Sequence, residues 1–178
     1  MNIDECVARI EIQNLLAAWS IGCDQGEFPE WVWAEDAVVH APGGVRLAGR
    51  DNIIGRFTGR RYTFTTRDSD EPVTTEAPPI PVVKLSNTQE PTWRRHNLTT
   101  SLITFEGAEA ARGVTYALIL SEEGLTGSAL YEDRFRKLPP GWRFVERRTR
   151  LEYVHPNEKL DAIRAIARGD RAEDAASR

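Results

Sequence analysis

The sequence predicts an α+β fold in which N-terminal helices cover the concave face of a strongly curved, cone-like antiparallel sheet. Two observations carry that prediction. Apolar residues recur at helical spacing near the start of the chain, and four long runs with period-two character fill the stretch from Arg95 to Tyr153. Helices followed by a strand meander place the helices together on one side of one sheet. With 178 residues, the chain has the length of a single domain. A sheet closed on one side by helices leaves a mouth that holds a small ligand among mostly apolar walls.

Each element has its own signal. Asp4 is a helix-capping residue, and Val7, Ile10, Leu15, Leu16 and Trp19 carry a helix through about Cys23 before Asp24-Gln25-Gly26 interrupts it. Phe28-Pro29 opens a second short helix bearing Trp31 and Trp33, proline being tolerated in a first turn. Ala37–His40 and Val45–Leu47 flank Pro42-Gly43-Gly44 as a hairpin, and Arg50–Phe57 is a short helix. Residues 59–92 hold Pro72, Pro78, Pro79, Pro81 and Pro91, which excludes a regular helix or central strand. That insertion reads either as a tolerated surface loop or as a lid. The strands are Leu98–Phe105, Ala111–Leu120, Thr126–Leu138 and Trp142–Tyr153, punctuated by Glu106-Gly107, Glu123-Gly124 and Pro139-Pro140-Gly141. Residues 1–155 thus form the cone domain, and 156–178 a C-terminal helix (Asn157–Ala167) with a polar tail.

Composition removes several function classes. The net charge of −4 argues against a phosphate-backbone partner such as nucleic acid. No apolar run approaches the ~20 residues that span a bilayer, and no secretory signal is visible, which leads to the expectation of a cytoplasmic protein. Cys6 and Cys23 lie seventeen residues apart in one helical pattern, too far for a disulfide. Three scattered histidines and the lack of a Cys-x-x-Cys or a Gly-rich phosphate loop leave no metal or nucleotide signature.

The segment Ile12-Gln-Asn-Leu-Leu-Ala-Ala-Trp19-Ser-Ile-Gly-Cys-Asp24-Gln-Gly-Glu-Phe28 resembles the opening helices of SnoaL-like proteins of the nuclear-transport-factor-2-like superfamily. Glu35-Asp36-Ala37-Val38, Gly49-Arg50-Asp51-Asn52-Ile53, Arg95-His96-Asn97-Leu98-Thr99, Tyr131-Glu132-Asp133-Arg134-Phe135 and Gly141-Trp142-Arg143-Phe144 agree in kind and order. The resemblance covers roughly Ile10–Val154 apart from the insertion. In the hexachlorocyclohexane dehydrochlorinase, scytalone dehydratase and bile acid 7α-dehydratase branches, an aspartate after the first helix works with a histidine on the sheet. The resemblance implies that role for Asp24 and His96, needing neither metal nor organic cofactor. Each residue alone reads as readily in structural terms, Asp24 as a helix-end turn residue and His96 as a satisfied histidine.

The pairing makes chemical sense. Imidazole accepts a proton near neutral pH, and an adjacent carboxylate fixes its tautomer and stabilises the imidazolium. Tyr131 shares a strand face with Asp133 and is a candidate acid or oxyanion donor; Asp133 is a candidate partner for Arg148. Trp19 stands where two of the dehydratases carry a tyrosine, so it suits a stacking wall better than a hydroxyl donor. His40 and Tyr116 are candidates to line the mouth. Strand alternation sends Arg148 and Arg150 to the face opposite Arg147, and the first two are candidates for substrate binding.

The expected function is a cofactor-independent lyase acting on a bulky hydrophobic aromatic or polycyclic alcohol, by dehydration or by C–C cleavage releasing formaldehyde. An isomerase or epoxide hydrolase in the same pocket, and a non-catalytic small-molecule-binding cone, are the alternatives. The expected partners are a small hydrophobic substrate and other copies of the chain, as a dimer or trimer through the open sheet face.

Overall fold

The computed structural model describes residues 2–76, 94–122 and 124–155. Residues 77–92 of the expected insertion and the expected helix Asn157–Ala167 lie outside the described residues. α1 spans Ile3–Gln25. Its cap is Asn2 rather than Asp4: the Asn2 side chain accepts the Glu5 N–H at 2.8 Å. Asp4 sits in the first turn, where its charge complements the positive end of the helix. The helix ends at Gly26 in the left-handed conformation (φ 70°), so Asp24 belongs to its last turn.

The expected second helix is only one 3₁₀ turn, Glu30–Val32, and Trp33 instead begins β1 (Trp33–His40). Trp33 is almost fully buried, and aromatic residues are as much at home in a strand as in a helix. β2 (Arg46–Ala48) returns antiparallel after the Pro42-Gly43-Gly44 turn, and α2 (Arg50–Thr58) follows. β3 (Arg61–Thr66) and β4 (Ser69–Glu76) form a hairpin, with β4 at the sheet edge, where Pro72 is tolerated. β5 (Arg94–Phe105), β6 (Ala110–Ser121), β7 (Gly124–Leu138) and β8 (Gly141–Val154) complete the fold.

Among the described residues there are two α-helices and one eight-stranded curved, unclosed sheet, in the order β4-β3-β2-β1-β8-β7-β6-β5. Every neighbouring pair is antiparallel except β1–β8, which run parallel with Val39 opposite Arg147 and His40 opposite Arg148. α1 lies against β5 and β8, and α2 against β1 and β3. The core between them holds Ile12, Leu15, Trp33, Ile53, Phe135, Trp142 and Phe144, all at most 2% exposed. Among the described residues no helix is long and apolar enough to cross a membrane. Cys6 and Cys23 are both free thiols.

Bulges decide which side chains face the helices. On β8, Phe144 pairs with Phe135 and Glu146 with Arg134, so Val145 is one residue extra. A single extra residue exchanges the two faces of the strand beyond it. Counted from buried Trp142 and Phe144, plain alternation would turn Arg148 and Arg150 inward. The Val145 bulge turns Arg147 inward instead. Similar shifts occur on β5 between Leu98 and Ser101, and between β7 and β8 beside Ser128.

Candidate active site

The concave face reads as rows across β5, β6 and β7. His96 lies opposite Ile119, Leu98 opposite Ala117 and Ala129, and Ser101 opposite Thr115 and Tyr131. Asp133 follows on β7 with Arg147 beside it on β8, and Phe135 with Phe144 below them. His96 therefore stands at one end of the face and the aromatic core at the other. Between them, Ala117, Ala129, Leu98 and Leu151 pack with Tyr131 into a small apolar cluster.

The last turn of α1 brings Asp24 onto the start of β5. Asp24 Oδ1 lies 2.6 Å from His96 Nδ1, and the His96 backbone N–H donates to both carboxylate oxygens at 3.1 and 3.0 Å. The Asp24 side chain is 7% exposed and that of His96 21%. A short contact between nitrogen and carboxylate oxygen requires a proton between them, so neutral His96 carries it on Nδ1 and leaves Nε2 as the free base. No group among the described residues bonds Nε2. Gly22, one turn above Gly26, is needed here. A Cβ at that position would meet Pro29 Cδ and come within 2.7 Å of the Glu27 carbonyl, so the chain can fold back under α1 only over glycine.

Arg147 is the residue that sequence reasoning left out of the site. It is 3% exposed, and its Nε and Nη2 donate to Asp133 Oδ1 and Oδ2 at 2.7 and 2.9 Å. The expected Asp133–Arg148 pairing is thus replaced by Asp133–Arg147. The remaining nitrogen, Nη1, is buried without a hydrogen-bond partner among the described residues. The guanidinium lies 4.5 Å from the ring centroids of both Tyr131 and Phe144. Burial alone would make Arg147 easier to deprotonate, but the Asp133 carboxylate outweighs it and holds the charge in place. Burial pushes the Asp133 carboxyl upward against the pull of the guanidinium.

Tyr131 faces inward and is buried, as its strand parity predicts. Burial is the main cause that pushes its phenol up to about 12, with the Arg147 charge working the other way. The hydroxyl therefore remains a hydrogen-bond donor through neutral pH. Cys23 lies partly buried near Arg147 and Asp24; burial pushes its thiol up, which keeps it neutral.

The other expected site residues lie elsewhere. Trp19 is part of the aromatic core, its ring centroid 5.0 Å from Trp33, 4.8 Å from Phe57 and 5.9 Å from Phe28. His40, Tyr116, Arg148 and Arg150 are on the outer face of the sheet, away from His96. His40 Nε2 lies 3.2 Å from Glu146, and Tyr116 is 47% exposed on the strand face opposite buried Thr115 and Ala117. Arg148 pairs with Glu146 at 2.8 Å and Arg150 with Glu152 at 3.2 Å, both in solvent. Strand parity accounts for His40 and Tyr116, and the Val145 bulge for Arg148 and Arg150. Among the described residues no group of three or more His, Cys, Asp or Glu could hold a metal ion.

Residues 4–148 match the family model of the SnoaL-like domain. No curated protein matches the chain in sequence. Solved structures of similar fold include a candidate scytalone dehydratase from Novosphingobium aromaticivorans DSM 12444, at 18% identity and a TM-score of 0.58, covering 87% of this chain and 91% of that one. A hexachlorocyclohexane dehydrochlorinase from Novosphingobium barchaimii LL02 aligns at 18% identity and a TM-score of 0.56, over 89% and 96%. A protein of unknown function from Mycobacterium tuberculosis aligns at 18% identity and a TM-score of 0.56, over 93% and 85%. At these identities the likeness is one of fold.

Proposed function

The chain belongs to the SnoaL-like domain family, and from that premise we propose that it is a cofactor-independent lyase acting on a bulky hydrophobic alcohol, aromatic or polycyclic. The observation that carries this reading is the 2.6 Å contact between Asp24 and His96, two residues 72 positions apart. It supplies the two parts that elimination needs, a base nitrogen and a carboxylate that stabilises the resulting imidazolium. The dehydratase and dehydrochlorinase among the fold neighbours support the same class of chemistry.

In dehydration, His96 Nε2 takes a proton from the carbon next to the one bearing the hydroxyl. The electron pair of that C–H bond forms the double bond as the C–O bond breaks. The departing hydroxide takes the proton back from the imidazolium and leaves as water. In the allied C–C cleavage, Nε2 takes the hydroxyl proton of a hydroxymethyl group and formaldehyde departs. The electron pair left on carbon then recovers that proton from the imidazolium. In both routes negative charge grows on the substrate; the Tyr131 hydroxyl is the donor assigned to meet it, with the buried Arg147 charge lying against its ring.

An isomerase of the kind that uses a protonated aspartate as hydrogen-bond donor is less well supported. Both Asp133 oxygens already accept from Arg147. The exposed residues Leu102, Val114, Tyr116 and Leu118 on the outer face of β5 and β6 support self-association as a dimer or trimer.

The test is turnover. Chelator-treated protein is incubated with a panel of aryl, diaryl and polycyclic alcohols, and loss of water or release of formaldehyde is followed by mass spectrometry. Turnover of at least one class is expected; binding without turnover across the panel would favour the non-catalytic cone.

A further inference from the structure

At the end of the sheet far from His96, a cavity of about 480 Å³ opens beside the β7–β8 turn. Its volume lies within the range of small-molecule sites, roughly 300–1,000 Å³. One wall is aromatic: Trp31, left 52% exposed by the 3₁₀ turn, and Trp33 at the start of β1. The other wall is charged, with Arg50 from the first turn of α2, Arg136 near the end of β7 and Arg143 near the start of β8 set among Glu35 and Asp36 of β1. These residues come from separate elements, so the fold rather than a local sequence run assembles them.

The lining has more donors than acceptors. Arg136 is held by Asp36 at 2.6 Å, while Arg50 makes only a 3.5 Å contact with the highly exposed Glu35. The Arg143 guanidinium lies 5.7 Å from the Trp31 ring centroid and donates to the Trp142 carbonyl. No carboxylate among the described residues pairs with Arg143. The Arg143 and Arg50 guanidiniums are therefore the groups able to meet an anion in this cavity.

We propose that this cavity is a second binding site, for an aromatic carboxylate whose ring stacks on Trp31 and whose anion is met by Arg143 and Arg50. Stacking between an aromatic ring and the Arg143–Trp31 pair selects for a flat ligand, and the guanidinium forks select for a planar carboxylate. The site is separate from Asp24 and His96 and does not depend on their role.

The experiment is calorimetric titration of 1-naphthoate into the full chain, with cyclohexanecarboxylate and inorganic phosphate as comparison probes. Naphthoate should bind saturably and more tightly than either comparison probe. Trp31→Leu and Arg143→Gln should each weaken it about tenfold, with unchanged melting temperature, as expected for losing one stacking or charge-assisted contact. His96→Ala should bind it as the wild type does. Equal affinity in both site variants, or phosphate binding as tightly as naphthoate, would overturn the proposal. So would loss of binding in His96→Ala alone, which would place the ligand at the other site.

Discussion

Asp24 presents one carboxylate to two donors of the same residue, the ring Nδ1 of His96 at 2.6 Å and the His96 backbone N–H at 3.1 and 3.0 Å. The helix end and the strand start are tied together at this point. The imidazole cannot turn without giving up the shorter of the two links, so its Nε2 is held in one direction.

That arrangement fixes the tautomer. Long-range ¹H–¹⁵N spectra of neutral His96 should show the proton on Nδ1. In Asp24→Asn the amide supplies a donor as well as an acceptor, and the ring is free to adopt the other tautomer. Activity on any substrate turned over should fall roughly 10²–10⁴-fold in that variant with little change in fold. An Nε2–H signal in the wild type would refute the assignment.

The Arg147–Asp133 pair predicts a non-additive cycle. Asp133→Asn or Arg147→Met alone leaves a buried group uncompensated and should cost about 3–5 kcal/mol in denaturant unfolding. The double variant should cost clearly less than the sum of the two. Additive losses would mean that the two groups do not share their charge.

Tyr131 predicts a pH effect whose sign is fixed. Its folded phenol is pushed up to about 12, above the unfolded value near 10. Below pH about 10 both states are protonated and the contribution is fully present. Above that the unfolded chain releases the proton first, so stability falls as pH rises toward 12. Unfolding midpoints measured across that window should decline less steeply in Tyr131→Phe. The same variant should lose roughly 10²-fold in turnover if the hydroxyl faces developing charge.

Gly22 predicts a packing effect. An alanine methyl would press on Pro29 and the Glu27 carbonyl, so Gly22→Ala should cost about 1–3 kcal/mol in thermal or denaturant unfolding. Because Asp24 is two residues away, the His96 ring signals should also move. Wild-type stability in this variant would show that the segment Glu27–Pro29 shifts freely.

Much of the framework is legible in the sequence because it rests on local periodicity. The apolar spacing of Leu15, Leu16 and Trp19 marks α1, although Val7 and Ile10 of the same run are exposed and Ile12 is the buried residue there; the hairpin turns at Gly107 and Gly141 mark the strand borders. The β3–β4 hairpin is hidden because β4 is an exposed edge strand with no buried face to produce alternation, and it carries Pro72. Pro29 suggests a helix around Trp33; only the partner Phe144 across the parallel β1–β8 seam reveals a strand there. Arg147 is hidden by one residue. The Val145 bulge is a register fact between two strands, and no pattern within β8 reports it. The Asp24–His96 pairing is visible only through resemblance to a family, since 72 intervening positions leave no spacing signal.

The most direct measurement is the turnover rate of His96→Ala against wild type on the best substrate of the alcohol panel, with folding checked by circular dichroism. A loss of at least about 10²-fold in kcat with the fold retained is expected. Equal rates would contradict His96 as the base and, with it, the elimination mechanism.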